Sequence, residues 1–338
     1  MHLFDTFSQK GLSLRNRIVM SPMCQYSATE DGVLTAWHFV HYGARAVGGV
    51  GAIILEMSQV SPEGRLSPND IGIWDDRQVP ALSRLTEFVH GQGAKIGIQL
   101  GHAGRKADPV FEAVGASPVA FSDHYRVPIA LDAQGIARIR DAFAAAARRA
   151  DAAGFDFVEL HGAHGYLLHQ FLSPLSNQRT DGYGGDLAGR ARLILDVAED
   201  VRSALPPDKP VWARLSMHES GVAGGYGLDD TLRVARLLHE RGVDLIDTSS
   251  GGNAVAAEQE SPGYRLGIAA AVRAAGVPAM PVGRLADAAL ADAAIANGQA
   301  DLVCIGRGLL RDPQWALRAQ RELGLPVTAP EQYRRAYL

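Results

Sequence analysis

The stretch Arg148-Arg-Ala-Asp-Ala-Ala-Gly154-Phe-Asp-Phe-Val-Glu-Leu160 decides how the chain is read. A run rich in Ala and Arg stops at a glycine, an aspartate follows, and an apolar run begins. Glycine just past a helix is a C-terminal cap, because it enters the left-handed conformation without the steric cost a Cβ brings. The run after it, Phe155–Leu160, does not alternate apolar with polar. That marks a strand covered on both faces.

Outward from this unit the same signature recurs. Helix 229–241 ends at Gly242 and leads into Val243–Asp247, and helix 286–296 ends at Gly298 and leads into Leu302–Ile305. The runs Ile18–Ser21, Gly51–Glu56, Ala94–Leu100, Val211–Leu215 and Ala279–Val282 bring the strands to eight, with further helices over 35–47, 78–91, 189–204 and 264–275. Strands alternating with helices build right-handed βαβ units around a parallel sheet. The fold class is α/β, and eight units predict a (β/α)8 barrel. A doubly wound dinucleotide fold is disfavoured, since no GxGxxG follows an early strand.

The chain has 338 residues, more than the ~250 of a typical barrel. The surplus is expected in an N-terminal hairpin over 1–16 turning at Lys10-Gly11, a connection over 101–135 after the third strand, and a tail over 322–338. No Pro/Gly/Ser linker separates two halves, so one domain over 1–338 is expected. A net charge of −4 gives no basic footprint for nucleic acid or membrane surface. Two cysteines, Cys24 and Cys304, cannot form a disulfide framework, and no CxxC offers a zinc or iron–sulfur site. Without a secretory leader pattern or an apolar run of ~20 residues, the expected location is the cytoplasm.

In such barrels chemistry sits at the C-terminal strand ends. The last two strands end in Val282-Gly283-Arg284 and Ile305-Gly306-Arg307-Gly308. Glycine lets backbone N–H groups approach an anion, a helix start adds its dipole and arginine adds charge, so these turns read as a phosphate site. His161-Gly-Ala-His164-Gly-Tyr166 is the second constellation. Its imidazoles can hydrogen-bond a substrate carbonyl oxygen with Tyr166 as proton donor, or ligate a metal with Glu159 or Glu56, or cap a loop. Arg214 ends an apolar strand and needs a partner, either Glu56 or a ligand that becomes negative during turnover. Gln99 suits the donor–acceptor edge of a planar heterocycle. Cys304 reads as a core hydrophobe. Of four lysines, only Lys106 lies on the site side, in a loop, which makes Schiff-base chemistry a poor fit.

Several motifs resemble the Old Yellow Enzyme family of FMN-dependent ene-reductases. They are Met20-Ser-Pro-Met-Cys-Gln-Tyr26, Trp37-His-Phe-Val-His-Tyr-Gly43, Gln99-Leu-Gly-His-Ala-Gly-Arg-Lys106, His161-Gly-Ala-His-Gly-Tyr166 and His169-Gln-Phe-Leu-Ser-Pro-Leu-Ser-Asn-Gln-Arg-Thr-Asp-Gly-Tyr-Gly-Gly185. Cys24 is similar to that of the bacterial thermophilic-like branch of NADPH dehydrogenases. The resemblance spans essentially the whole chain, with the motifs in order.

It implies a barrel holding non-covalent FMN, reduced by NADPH, that reduces activated C=C bonds. Ser21, Pro22, Met23 and Cys24 would line the flavin, Cys24 tuning its potential. Met57 would approach it where relatives carry a smaller residue. Gln99 would bond the pyrimidine edge and Arg214 would sit by N1 and O2. Val282, Gly283, Arg284, Gly306 and Arg307 would hold the phosphate. His161 and His164 would bind the substrate carbonyl oxygen, Tyr166 would protonate Cα after hydride reaches Cβ, and Tyr26 and Lys106 would border the pocket. Arg335, with Arg334 as competitor, would reach a neighbouring subunit's site, which implies a homodimer or homotetramer. The other readings are a metal-dependent barrel hydrolase using His161 and His164, and a non-catalytic FMN-binding protein. The resemblance argues against any metal at the His pair.

Overall fold

The computed structural model describes residues 1–219, 222–255 and 260–337. Its parallel strands are β1 (Ile18–Met20), β2 (Ala52–Gln59), β3 (Lys95–Gly101), β4 (Phe157–Gly162), β5 (Val211–Ser216), β6 (Leu245–Ser249), β7 (Ala279–Pro281) and β8 (Val303–Ile305). They pair in the order β7-β6-β5-β4-β3-β2-β1-β8. An isolated parallel bridge from Val282 to Cys304, with the Asp301 N–H bonded to the Ala279 carbonyl at 2.9 Å, joins the two edges. The sheet thus closes as the barrel that the eight runs predict.

Helices α1 (Ala36–Val47), α2 (Val79–Gly91), α3 (Ala133–Ala152), α4 (Leu167–Leu172), α5 (Leu187–Ala204), α6 (Leu228–Glu240), α7 (Leu266–Ala274) and α8 (Ala288–Ala296) surround it, and α9 (Arg307–Arg311) and α10 (Trp315–Glu322) follow β8. Their ends are set by local chemistry. Gly154, Gly242 and Gly298 all have positive φ (83°, 89° and 70°), as their capping role demands. At the other end, Asp132, Asp186 and Asp287 accept N–H bonds from Gly135, Gly189 and Leu290. The Asp132 cap sets the start of α3 at Ala133.

Two apolar layers hold the barrel. The outer one lies between strands and helices, with Ile53, Ile96 and Leu160 among its fully buried members. The inner one contains Ala52, Ile54, Phe157, Trp212 and Met280. Its open end is stopped by an antiparallel hairpin, Phe7–Gln9 with Leu12–Leu14, whose Phe7, Leu12 and Leu14 join the cluster. Trp212 stacks on Phe157 with centroids 3.9 Å apart and donates its indole N–H to Gln9 at 2.8 Å. Packed at that end, the barrel is a solid core rather than a pore, and the polar strand ends collect at the opposite mouth.

One strand departs from expectation. β2 continues to Gln59, with a register shift between Leu55 and Ser58. Simple alternation would send Glu56 inward like Ile54. The irregularity instead sets Glu56 against α1, where it accepts a 2.8 Å bond from the Tyr42 hydroxyl.

Candidate active site

The turn after β4 builds the centre of the site. Ala163-His164-Gly165 reverses direction with His164 and Gly165 both at positive φ (59° and 74°). The Tyr166 N–H bonds back to the Ala163 carbonyl at 3.2 Å, the Gly165 N–H to His169 Nδ1 at 2.8 Å and the His164 N–H to Ser216 Oγ at 3.0 Å. A Cβ on Gly165 would lie 2.4 Å from the Gly252 carbonyl oxygen, so glycine is required for this close approach to the loop after β6. The result is a cluster of rings: His161 to Tyr166 4.8 Å, His161 to His164 5.1 Å, His164 to Tyr166 6.4 Å, all edge-on.

Burial pushes both imidazoles far below their usual range, and Arg214 adds to it, so both are neutral. His161 Nδ1 accepts from the Ala163 N–H, and His164 Nε2 shares a 2.7 Å bond with Ser249 Oγ. Among the described residues, His161 Nε2 and His164 Nδ1 are the ring nitrogens left for a ligand. Burial, then Cys24 and Tyr26, raise the Tyr166 phenol well above its usual value, so it keeps its proton. Lys106 borders this cluster: its Nζ donates to the His164 and Gly252 carbonyls at 3.0 and 3.1 Å and lies 5.2 Å from the Tyr166 ring centroid. Burial pulls its pKa down to about 8.

Beside the cluster opens a cavity of about 660 Å³, within the usual size of small-molecule sites. Ser21, Pro22, Met23, Arg214, Val282, Gly283, Arg284, Gly306 and Arg307 all line it, together with His164. Glycine shapes its wall: a Cβ on Gly283 would lie 2.9 Å from the Tyr264 ring, and one on Gly306 would lie 3.4 Å from Met23 Sδ. At one end Arg307 holds the Glu260 carboxylate at 2.6 Å, and Arg284 donates to the Glu260 carbonyl. The two arginines are therefore already arranged around oxygen acceptors.

Other predicted residues lie near but not on this cavity's wall. Gln99 sits deeper, donating to Glu159 at 2.7 Å. Met57 is buried, and its chain occupies the space a Cβ on Gly101 would fill, 2.4 Å from Met57 Cγ. This absorbs the larger residue. Cys24 is half-buried, and burial with Glu56 and Asp70 raises its thiol pKa, so it is a thiol rather than a thiolate. Tyr26 is 53% exposed. Arg335 and Arg334 do not join the site of their own chain. They are exposed on a 3-10 turn, Glu331–Tyr337, anchored by the Tyr337 hydroxyl to Gln314 at 3.1 Å.

Arg214 corrects one sequence expectation. Its partner is Asp247, 2.8 Å away, and its Nη2 donates to Ser21 Oγ at 2.9 Å. Glu56 is held by Tyr42 instead. Burial opposes the Arg214 charge, but the Asp247 carboxylate outweighs it and holds its pKa above the usual arginine value. Glu159 is likewise bonded to Gln99. Among the described residues, no group of three His, Cys, Asp or Glu side chains is arranged to hold a metal ion. Asp247, Arg265 and Glu260 were missed as site residues. Asp247 carried a signal, an acid ending an apolar strand. Arg265, which donates to Ser250 Oγ at 2.7 Å and lines the cavity, stands at the start of the expected 264–275 helix with no motif to mark it, and Glu260 lies just before that helix.

Comparison with known proteins places the chain. Residues 2–325 match the NADH:flavin oxidoreductase / NADH oxidase family. The NADPH dehydrogenase of Bacillus subtilis (strain 168) is 43% identical over 337 residues, 99% of each chain. Among solved structures, morphinone reductase superposes with a TM-score of 0.84 at 29% identity, covering 98% of this chain and 91% of that one. A 2-naphthoyl-CoA reductase complex shares the fold with a TM-score of 0.88 at 23% identity; the chain covers 52% of its length. These matches set aside the hydrolase and the non-catalytic readings.

Proposed function

The chain belongs to the NADH:flavin oxidoreductase / NADH oxidase family, the Old Yellow Enzyme group of FMN- and nicotinamide-dependent enzymes, and from that premise we propose that it reduces the activated C=C bond of α,β-unsaturated carbonyl compounds with NADPH. The observation that carries this reading is the Tyr166 phenol held beside two neutral imidazoles at the mouth of the barrel.

The residues present fit FMN. Arg284 and Arg307 gather oxygen acceptors at one end of the cavity, the chemistry a phosphate needs. Gly283 and Gly306 leave room that a Cβ would take. Arg214 lines the cavity and Gln99 lies in the layer with it, the donor set that a flavin's pyrimidine edge requires. Pro22 and Met23, with Cys24 following, supply the wall for its ring. FMN bound there would supply the hydride-transfer chemistry between NADPH and the second substrate.

The chain's own residues do the rest. His161 and His164 hold the substrate's carbonyl oxygen and stabilise the charge that grows there as hydride reaches Cβ. Each such bond to a charged oxygen contributes ~1.5–3 kcal/mol. Tyr166 gives the proton to Cα, and its raised pKa ensures that the proton is present throughout the working range. Tyr26 and Lys106 border the substrate. The exposed tail supports an assembly, dimer or tetramer, in which Arg335 or Arg334 enters a second copy's site. No helix among the described residues is long and apolar enough to cross a membrane, in keeping with a cytoplasmic enzyme.

The test is anaerobic. The yellow protein should bleach with NADPH and regain colour with 2-cyclohexenone. Bleaching without return of colour for any enone would sink the proposed substrate class, and absence of releasable FMN would sink the whole reading.

A further inference from the structure

Inside the barrel, at the level of the cavity's inner end, lies a polar layer. Gln99 of β3 pairs in register with Glu159 of β4, and Arg214 of β5 with Asp247 of β6. None of the four is more than 3% exposed. Gln99 Nε2 donates to Glu159 Oε1 at 2.7 Å, and Arg214 Nε lies 2.8 Å from Asp247 Oδ2. The Arg214–Asp247 contact is an ion pair, and Glu159 Oε2 and both Asp247 oxygens accept no hydrogen bond from any N–H or O–H among the described residues. Both carboxyls thus hold unpaired oxygens in one dry layer, where a bond between the two would satisfy them. Carboxylates are acceptors only, so two of them bond only when one carries a proton. Asp247 is the partner of Arg214; the proton belongs to Glu159.

We propose that Glu159 is a positioning residue for the flavin: it shares one proton with Asp247, keeps this layer neutral, and so leaves the Arg214 charge to the cofactor's pyrimidine end. This rests on the reading of Arg214 as the residue beside that end. With Glu159 ionised, two carboxylates would face one guanidinium in a dry interior, where charges are weakly screened. That surplus charge would oppose the negative charge which the ring gathers on reduction. Burial and Asp247 both disfavour the Glu159 anion.

The other ionisable groups facing the pair do not share its role. Arg214 stays cationic, and Arg265 acts on Asp247 from the segment before α7. His161, on β4, is held neutral by burial. Cys304, on β8, is held as a thiol by burial and by Asp247. The dyad is therefore the group that loses a proton here as the solution turns alkaline.

Glu159→Gln separates the possibilities in the holoenzyme. The amide accepts from Gln99 and donates to Asp247, so both bonds survive with no proton to lose. The midpoint potential of bound FMN, followed from pH 6 to 10, should agree between wild type and variant at the acid end. Towards pH 10 the wild type should lose about tenfold in its preference for reduced over oxidised FMN relative to the variant, the equivalent of one unit of pKa coupling. Parallel lines over the whole range overturn the proposal. The infrared spectrum gives a second, flavin-independent measure: a protonated-carboxyl band at pH 7, lost in the variant. Its absence from the wild type overturns the dyad. Asp247→Asn covers failure of the first variant to fold, since its amide donates to Glu159 and leaves that residue ionised beside Arg214; band and pH effect should both vanish. Protein that shows the band but takes up no FMN refutes the functional reading beneath the proposal, and with it the role in positioning flavin.

Discussion

Replacing Tyr166 by phenylalanine isolates the proton-transfer step. The ring packs edge-on to His161 at 4.8 Å and under Lys106 at 5.2 Å, and phenylalanine keeps both contacts. Among the described residues the Tyr166 hydroxyl bonds to nothing, so no partner is stranded by its loss and the fold should be unaffected. On the proposed reading the hydroxyl serves as the general acid. General acids of this kind contribute about 10²- to 10⁴-fold, or roughly 2.7–5.4 kcal/mol at 1.36 kcal/mol per decade. The two imidazoles still bind the carbonyl oxygen, so the loss belongs in the rate constant rather than in enone binding. Anaerobic stopped-flow measurement of flavin absorbance separates the halves of the cycle. Bleaching by NADPH should run at the wild-type rate, and return of colour with 2-cyclohexenone should slow by that factor at saturating enone. Because burial holds the phenol well above its usual pKa, no rate limb from Tyr166 should appear between pH 6 and 9. Equal losses in both half-reactions, or less than a tenfold loss in the second, would refute the assigned role.

Three further outcomes follow from the packing and the charges. Gly101→Ala drives a Cβ to 2.4 Å from Met57 Cγ and should cost about 1–3 kcal/mol as overpacking, with Met57→Ala in the same chain relieving it; an unchanged melting temperature in the single variant contradicts the packing account. Asp70, 2% exposed and raised by burial to about 6, binds its proton more tightly folded than unfolded. Stability should therefore fall as pH rises from about 4 to 6, by at most ~3 kcal/mol, and urea melts of Asp70→Asn should lack that slope; identical slopes count against it. Arg307→Gln should weaken FMN binding about 10- to 100-fold, the loss of one ~1.5–3 kcal/mol bond to a charged oxygen, while leaving riboflavin affinity unchanged. An equal drop for riboflavin, measured by fluorescence titration, would remove Arg307 from the phosphate site.

Much of this protein is legible along the chain because its signals are local. Gly154, Gly242 and Gly298 cap the helices they follow, and Asp132, Asp186 and Asp287 cap the helices they precede, each through bonds spanning a few residues. The His161–Tyr166 turn and the glycine–arginine turns after β7 and β8 are likewise contiguous, and their places at strand ends follow from the barrel itself. Other features rest on contacts between distant segments. The partner of Arg214 could not be chosen between candidates, because the register shift in β2 that turns Glu56 away has no mark in Ala52–Gln59. Met57 is accommodated by the missing Cβ of Gly101, a residue on the next strand. Glu260 meets Arg284 and Arg307 from a stretch whose composition announces nothing.

The sequence by itself determined the barrel, its polar mouth and most of the residues that line the cavity there, since cap glycines, doubly buried strands and strand-end motifs act at short range. Only the tertiary structure decided which of those residues bond to one another and in what charge state. Partner choice depends on register across strands, and ionisation depends on how dry the shared interior is. Glu159 shows the difference. In the chain it is one carboxylate ending an apolar run; closed inside the barrel between Gln99 and Asp247, burial and a second carboxyl disfavour its charge.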